Sequence, residues 1–141
     1  MERILALDIG HVRVGVAVSD PLGFFAQGIG VLSAAGDWLD EISTLVEQYD
    51  VRTLLIGLPV RTDGSTGPEA KWILSTVELL RALFPDQKVE LWDERFTTTI
   101  AERIMIEGNI SREKRRHSRD KVAAAIILQG YLDNRRRLQG G

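Results

Sequence analysis

Cysteine is absent from the 141 residues, and histidine nearly so, with only His11 and His117. The first absence removes disulfides, thiolate metal sites and a cysteine nucleophile, and is compatible with a reducing, cytoplasmic setting. The second leaves no pair of imidazoles at the spacing that puts two on one helix face, which argues against zinc. No apolar run approaches the roughly 18 residues that a membrane-spanning helix needs. The run nearest the start begins at Ile4 and meets Asp8 almost at once, so neither a secretion signal nor a membrane partner is expected. Aromatic residues are few, and none interleave with the basic segment as a single-strand stacking platform would require. Trp38, Trp72 and Trp92 read as core or interface.

What is present fits one ordinary α/β domain spanning 1–141, with 44% hydrophobic and 27% charged residues. The net charge of −2 conceals an asymmetry. Residues 1–110 hold 9 Lys and Arg against 17 Asp and Glu; residues 111–141 hold 9 against 3. A basic end on an acidic chain points toward a polyanion such as nucleic acid, although a solvated helical face with a frayed tail over 135–141 explains the count equally well.

Periodicity supplies the elements. Residues 3–9 read as a strand, Gly10 marks a tight turn, and Val12, Val14, Val16 and Val18 share one face of a second strand antiparallel to it. Residues 24–32 supply a third strand, weakened by Gly28 and Gly30. An amphipathic helix over 37–50 follows, then a strand over 53–58. The stretch RTDGSTGP breaks regular structure; Pro68 suits the first turn of a helix that runs to Phe84, and Pro85 stands just beyond it. Residues 88–92 form the last strand and deliver DER at its end. A helix from Thr97 or Thr98 through Glu107 is expected, then a mobile basic linker, then a buried helix over 119–135 capped by Ser118. A meander followed by strand–helix alternation predicts one mixed sheet with helices on its faces.

Three acidic positions stand where a carboxylate is costly. Asp8 ends the first strand, Asp93 and Glu94 end the last, and Asp120 opens the most apolar helix, in line with Ala123, Ala124, Ile127 and Leu128. Each has a structural explanation on its own: Asp8 as acceptor for the turn, Glu94 as partner of an arginine, Asp120 at the positive end of its helix. Together they would repel unless a cation lay among them, and an all-oxygen donor set selects Mg²⁺ or Mn²⁺. Such a site suits two-ion hydrolysis of a phosphodiester. Strand alternation does not choose between Asp93 and Glu94, which face opposite sides.

The stretches LALDIGHVRVGVAVSD, IGLPVRTDGSTGPEA, LWDERFTTTIAE and RDKVAAAIILQGYLD, in this order, resemble the four motif blocks of the YqgF/RuvX family. That family comprises bacterial ribonuclease-H-like proteins described as Holliday junction resolvases and as nucleases that mature the 5′ end of 16S rRNA. The resemblance covers nearly the whole chain. It implies a ribonuclease-H-like five-stranded mixed sheet, three antiparallel strands and then parallel ones, with helices on both faces. It also implies that Asp8, Glu94 in preference to Asp93, and Asp120 are catalytic metal ligands. Arg13, Gly57, Pro59, Gly64, Ser65, Gly67, Arg95 and Thr98 sit at motif positions too. The chain departs from the family pattern at Ile9, at His11 and Val12, and at Arg119, none of them a proposed ligand.

Contacts to nucleic acid are expected from Arg13, Ser65, Arg95 and Thr98, and from Arg112, Lys114, Arg115, Arg116, Arg119 and Lys121 beside Asp120. His11 and His117 are expected to be solvated or hydrogen-bonded loop residues. The leading expectation is a metal-dependent phosphodiesterase acting on branched DNA or precursor rRNA. Symmetric resolution of a junction would require a homodimer; trimming an rRNA end would not. A non-catalytic nucleic-acid-binding module is the alternative. A nucleotide-binding domain of the actin and sugar-kinase type shares the strand–Asp–x–Gly opening but needs a second such domain.

Overall fold

A computed structural model of the chain describes residues 2–59, 64–94 and 112–138, and the description excludes the side chains of 112–121. The elements in order are β1 (Arg3–Ile9), β2 (Arg13–Ser19), β3 (Ala26–Ser33), α1 (Trp38–Gln48), β4 (Val51–Leu58), α2 (Pro68–Leu83), β5 (Lys88–Asp93) and α3 (Arg112–Leu138). The strands form one five-stranded sheet in the order β3-β2-β1-β4-β5. β1, β2 and β3 pair antiparallel, while β4 lies parallel to both β1 and β5. The expected mixed sheet with helices on both faces is therefore the architecture found.

Gly10 makes the first reversal. Its N–H donates to the Arg13 carbonyl at 2.9 Å, and a Cβ built on it would lie 2.9 Å from that same oxygen. The valines of β2 then do what their alternation implies. Val14, Val16 and Val18 join Leu5, Leu7, Leu54 and Ile56 in a core covered by Ile42 and Val46 of α1 and by Ile73, Val77 and Leu80 of α2. The opposite face carries Ile4, Ala6, Ala17 and Leu55 against Ala124, Ile127, Leu128 and Leu132 of α3. Gly28 and Gly30 flank a register shift in β3, where Ile29 has no partner in β2.

Two expectations are corrected. The segment from Arg112 is the beginning of α3 rather than a linker, so His117 lies in a helix rather than a loop and Ser118 lies inside the helix rather than at its N-cap. Arg, Glu and Lys are strong helix formers, and their propensity outweighs the signal their charge gives for a loop. At the other end, α3 runs to Leu138, and residues 139–141 of the tail expected over 135–141 lie outside the described residues. Arg136 pairs with Asp133 and its guanidinium lies 5.2 Å from the Phe24 ring centroid, while Arg135 lies over Tyr131. The helix expected over 97–107 lies outside the described residues.

Two polar fastenings seat α3 on the sheet. The Gln129 side-chain amide donates to the Phe24 carbonyl and accepts from the Ala26 N–H, both at 2.9 Å, as a neighbouring strand would. Tyr131 donates its hydroxyl to Glu90 of β5 at 2.5 Å, and Lys88 approaches the other Glu90 oxygen at 2.6 Å. Burial and the Glu90 carboxylate push the Tyr131 hydroxyl up to about 12, so it stays a donor at any physiological pH. Among the described residues, no helix is long and apolar enough to cross a membrane.

Candidate active site

β1, β4 and β5 run parallel and adjacent, so their C-terminal ends lie together. Alternation places Asp8, Gly57 and Glu94 on the α3 side, continuing the series Ile4, Ala6 on β1, Leu55 on β4 and Trp92 on β5. The acids nevertheless start far apart, because β4 lies between them and two inter-strand spacings amount to about 10 Å. Gly57 is what lets them meet. A Cβ on it would lie 2.8 Å from Glu94 Oε1 and 2.6 Å from Cδ1 of the buried Ile127. The Glu94 carboxylate thus crosses over the bare backbone of β4 and hydrogen-bonds Asp8.

Two carboxylates can share a hydrogen bond only if one holds the proton. Burial pushes Glu94 up to about 7; the negative charge of Asp8, the hydrogen bond to it, and the charges of Asp93 and Glu69 push in the same direction. Oxygen donors pressed together until one keeps a proton are a donor set that a hard divalent cation relieves, since it replaces the proton and removes the repulsion. Asp8 and Glu94 therefore fit a Mg²⁺- or Mn²⁺-type ion. Among the described residues no group of three His, Cys, Asp or Glu side chains forms a complete ligand set. The expected third acid, Asp120, belongs to α3 on the stripe that continues through Ala124 and Ile127, but its side chain lies outside the described residues.

The structure also separates Asp93 from Glu94. Asp93 ends β5 opposite Leu58 and shares the strand face of Val89, which packs in the α1–α2 core. Its charge reaches Glu94, but from the other side of the sheet. Arg13 opens β2 on the face of Gly15, the partner of Asp8, and is half-buried. Ser65 is exposed in the loop that leads through Gly67 into α2, where the positive φ of Gly64 (88°) fixes the turn. Arg95 and Thr98 lie outside the described residues. Arg112, Lys114, Arg115, Arg116, Arg119 and Lys121 lie along the first turns of α3, on the helix that carries Asp120.

One cluster was not foreseen. His11, in the β1–β2 turn, lies 3.1 Å from Glu69 in the first turn of α2 and stacks on Trp72 with ring centroids 3.9 Å apart. Glu69 is near enough for its charge to be felt at Glu94. An acidic first-turn residue after a glycine loop was visible in the sequence; its meeting with His11 was not.

Residues 2–134 match the family model described as RuvX: Holliday junction resolvase. A protein of Clostridium botulinum named "Putative pre-16S rRNA nuclease" is 46% identical over 135 residues, covering 94% of this chain and 97% of its own. A protein of the same name from Halothermothrix orenii is 44% identical over 140 residues, covering 98% and 99%. Among solved structures, T. thermophilus RuvC in complex with Holliday junction substrate superposes with a TM-score of 0.56 at 14% identity, covering 93% of this chain and 94% of that one. Fowlpox virus resolvase in complex with Holliday junction DNA gives 0.52 at 13% identity, covering 94% and 97%. These two similarities show the fold, which is that of ribonuclease-H-like resolvases.

Proposed function

Because the chain belongs to the RuvX family, we propose that it is a nuclease that hydrolyses phosphodiester bonds of structured nucleic acid with Mg²⁺ or Mn²⁺ held by Asp8, Glu94 and Asp120. The observation that carries this reading is the contact of Asp8 with Glu94 across Gly57, which costs stability and has a use only if a cation takes the place of the shared proton. When bound, such ions lower the pKa of a water and neutralise the phosphate that it attacks. The chain's own residues supply the rest. Asp8 is fixed in the middle strand of the sheet, with β2 and β4 on either side. Glu94 would release its proton to solvent on binding such an ion. Arg13 and the Gly64–Gly67 loop hold the phosphate backbone at the mouth of the site, and the cations of the first turns of α3 contact phosphates farther along.

Precursor 16S rRNA is the first substrate to test, because relatives of 44–46% identity over nearly the whole chain bear that name. The Holliday junction of the family description is the second. One preparation should be incubated with both, with and without Mg²⁺ or Mn²⁺, and the cut sites mapped. Cleavage should vanish in chelator and fall at least about a hundredfold in Asp8→Asn and Asp120→Asn, since loss of even an outer partner of a metal site costs up to that much. Paired symmetric cuts in the junction by a dimer would assign the resolvase activity; a single cut at the rRNA 5′ end would assign maturation. Binding of either substrate without any cleavage even in saturating Mg²⁺ or Mn²⁺, or variants that cut as fast as the parent, would overturn the reading.

A further inference from the structure

The His11–Glu69–Trp72 cluster is not needed to hold a metal ion, and its geometry is not that of a buried structural contact. The Trp72 ring covers one face of the His11 imidazole, 3.9 Å between centroids and 21° from parallel. Glu69 holds Nε2 at 3.1 Å. Even so, the His11 side chain is 63% exposed, so the accessible area belongs to its other face and its remaining edge. The neighbouring Val12 side chain is also open to solvent, at 67%. The backbone beneath is firm, because the Val12 carbonyl accepts from the Ala34 N–H at 2.9 Å and Gly10 closes the turn onto Arg13. The result is a fixed aromatic and apolar surface, backed by a tryptophan, one turn away from Asp8.

We propose that the solvent-facing side of the His11 ring is a stacking platform for an unpaired nucleobase beside the bond that is cut. The proposal rests on the nuclease reading above and names what that site recognises. Stacking on an aromatic face is open to every base. Glu69 adds a bias: its carboxylate repels phosphate but accepts an N–H from the edge of a base, so a base enters here rather than backbone. Trp72 stiffens the imidazole, so little ordering remains to be done when the base arrives.

The test uses full-length protein carrying Asp8→Asn, which leaves the substrate uncut, and an RNA or junction with 2-aminopurine placed next to the mapped cut site. Stacking quenches 2-aminopurine, so binding should quench it. His11→Phe keeps the aromatic face and loses the bond to Glu69; it should bind and quench like its parent. His11→Gln keeps a donor near the position of Nε2 for Glu69 and loses the aromatic face; it should lose the quench and bind about tenfold more weakly, the loss expected for one stacked base. Thermal melts of both variants establish that each is folded. A purely structural clamp between the turn and α2 gives the reverse order, with Gln like the parent and Phe impaired, and that result would overturn the platform. Binding by the parent without any change in 2-aminopurine overturns the platform alone. A parent that binds neither substrate overturns both the platform and the nuclease reading.

Discussion

Replacing Gly57 with alanine adds a single methyl group at the point where the two acids meet. Its position is known: 2.6 Å from Ile127 Cδ1 and 2.8 Å from Glu94 Oε1. Both distances are shorter than atoms tolerate, so something must move. Overpacking of this kind costs about 1–3 kcal/mol, against which alanine regains about 0.5–1 kcal/mol of the conformational entropy that glycine forfeits in a strand. A net loss of about 1–2 kcal/mol is expected, read as an earlier urea midpoint with an unchanged slope. Activity should suffer far more. Ile127 is fully enclosed, so the displacement falls at least partly on the Glu94 carboxylate, and a misplacement of about 1 Å in a reacting group can cost a hundredfold. The double variant Gly57→Ala with Ile127→Val separates the two effects. Valine lacks Cδ1, so the closer clash disappears and stability recovers, while the methyl group still occupies the place of the carboxylate and cleavage stays low. If Gly57→Ala cleaves within about twofold of the parent under saturating metal, the crossing of Glu94 over β4 is not what builds the site.

Two further outcomes follow from the same residues. Glu94 is protonated up to about pH 7 in the folded protein, against an ordinary value of 4.5, so the native state holds an extra proton between those limits. Stability of the metal-free protein should therefore fall as pH rises from 4.5 to 7, by at most about 3 kcal/mol, and added Mg²⁺ or Mn²⁺ should restore it with release of a proton; urea titrations at several pH values, in chelator and in metal, measure both. A flat profile in chelator would refute the buried carboxylate pair. Tyr131→Phe should cost about 1 kcal/mol in urea denaturation, less than most charge-assisted bonds because Lys88 still pairs with Glu90. An unchanged midpoint would mean that Glu90 is held by Lys88 alone.

Most of the fold could be read from local pattern. Val14, Val16 and Val18 at alternate positions, a glycine turn after Asp8 and Pro68 at a helix start each express a backbone preference confined to a few residues, whereas Val12, expected on the same strand face, lies in the turn before β2 and is open to solvent. What could not be read was whatever depended on partners distant in the chain. Alternation said that Asp93 and Glu94 face opposite ways, but choosing between them needed the identity of the face on which α3 packs, and that is set by Ile127 and Leu128 rather than by β5. Gly57 could be marked as a motif position; that its missing Cβ is the passage for a carboxylate from the neighbouring strand became visible only with β4 in place. The basic stretch after Arg112 misled for a different reason. Its charge suggested a solvated linker, yet the same Arg, Lys and Glu residues are good helix formers, and charge density and helicity are not alternatives. His11 was correctly expected to be a hydrogen-bonded turn residue, whereas its stacking on Trp72 joins segments that no local rule connects.

The strand order β3-β2-β1-β4-β5 also carries a consequence in time. Synthesis proceeds from the N-terminus, so the hairpin that bears Asp8 is made first and can close on itself. β4 must then add beside β1 before β5 has a place to pair, and only after that does Glu94 lie opposite Asp8. α3 comes last, and its Gln129 reaches back to the Phe24–Ala26 backbone that was made near the beginning. A chain still short of β5 holds one solitary carboxylate and no pair for a cation to bridge. Under the proposed function, a chain that ends before β5 lacks the Asp8–Glu94 pair and is expected not to cut the nucleic acid around it.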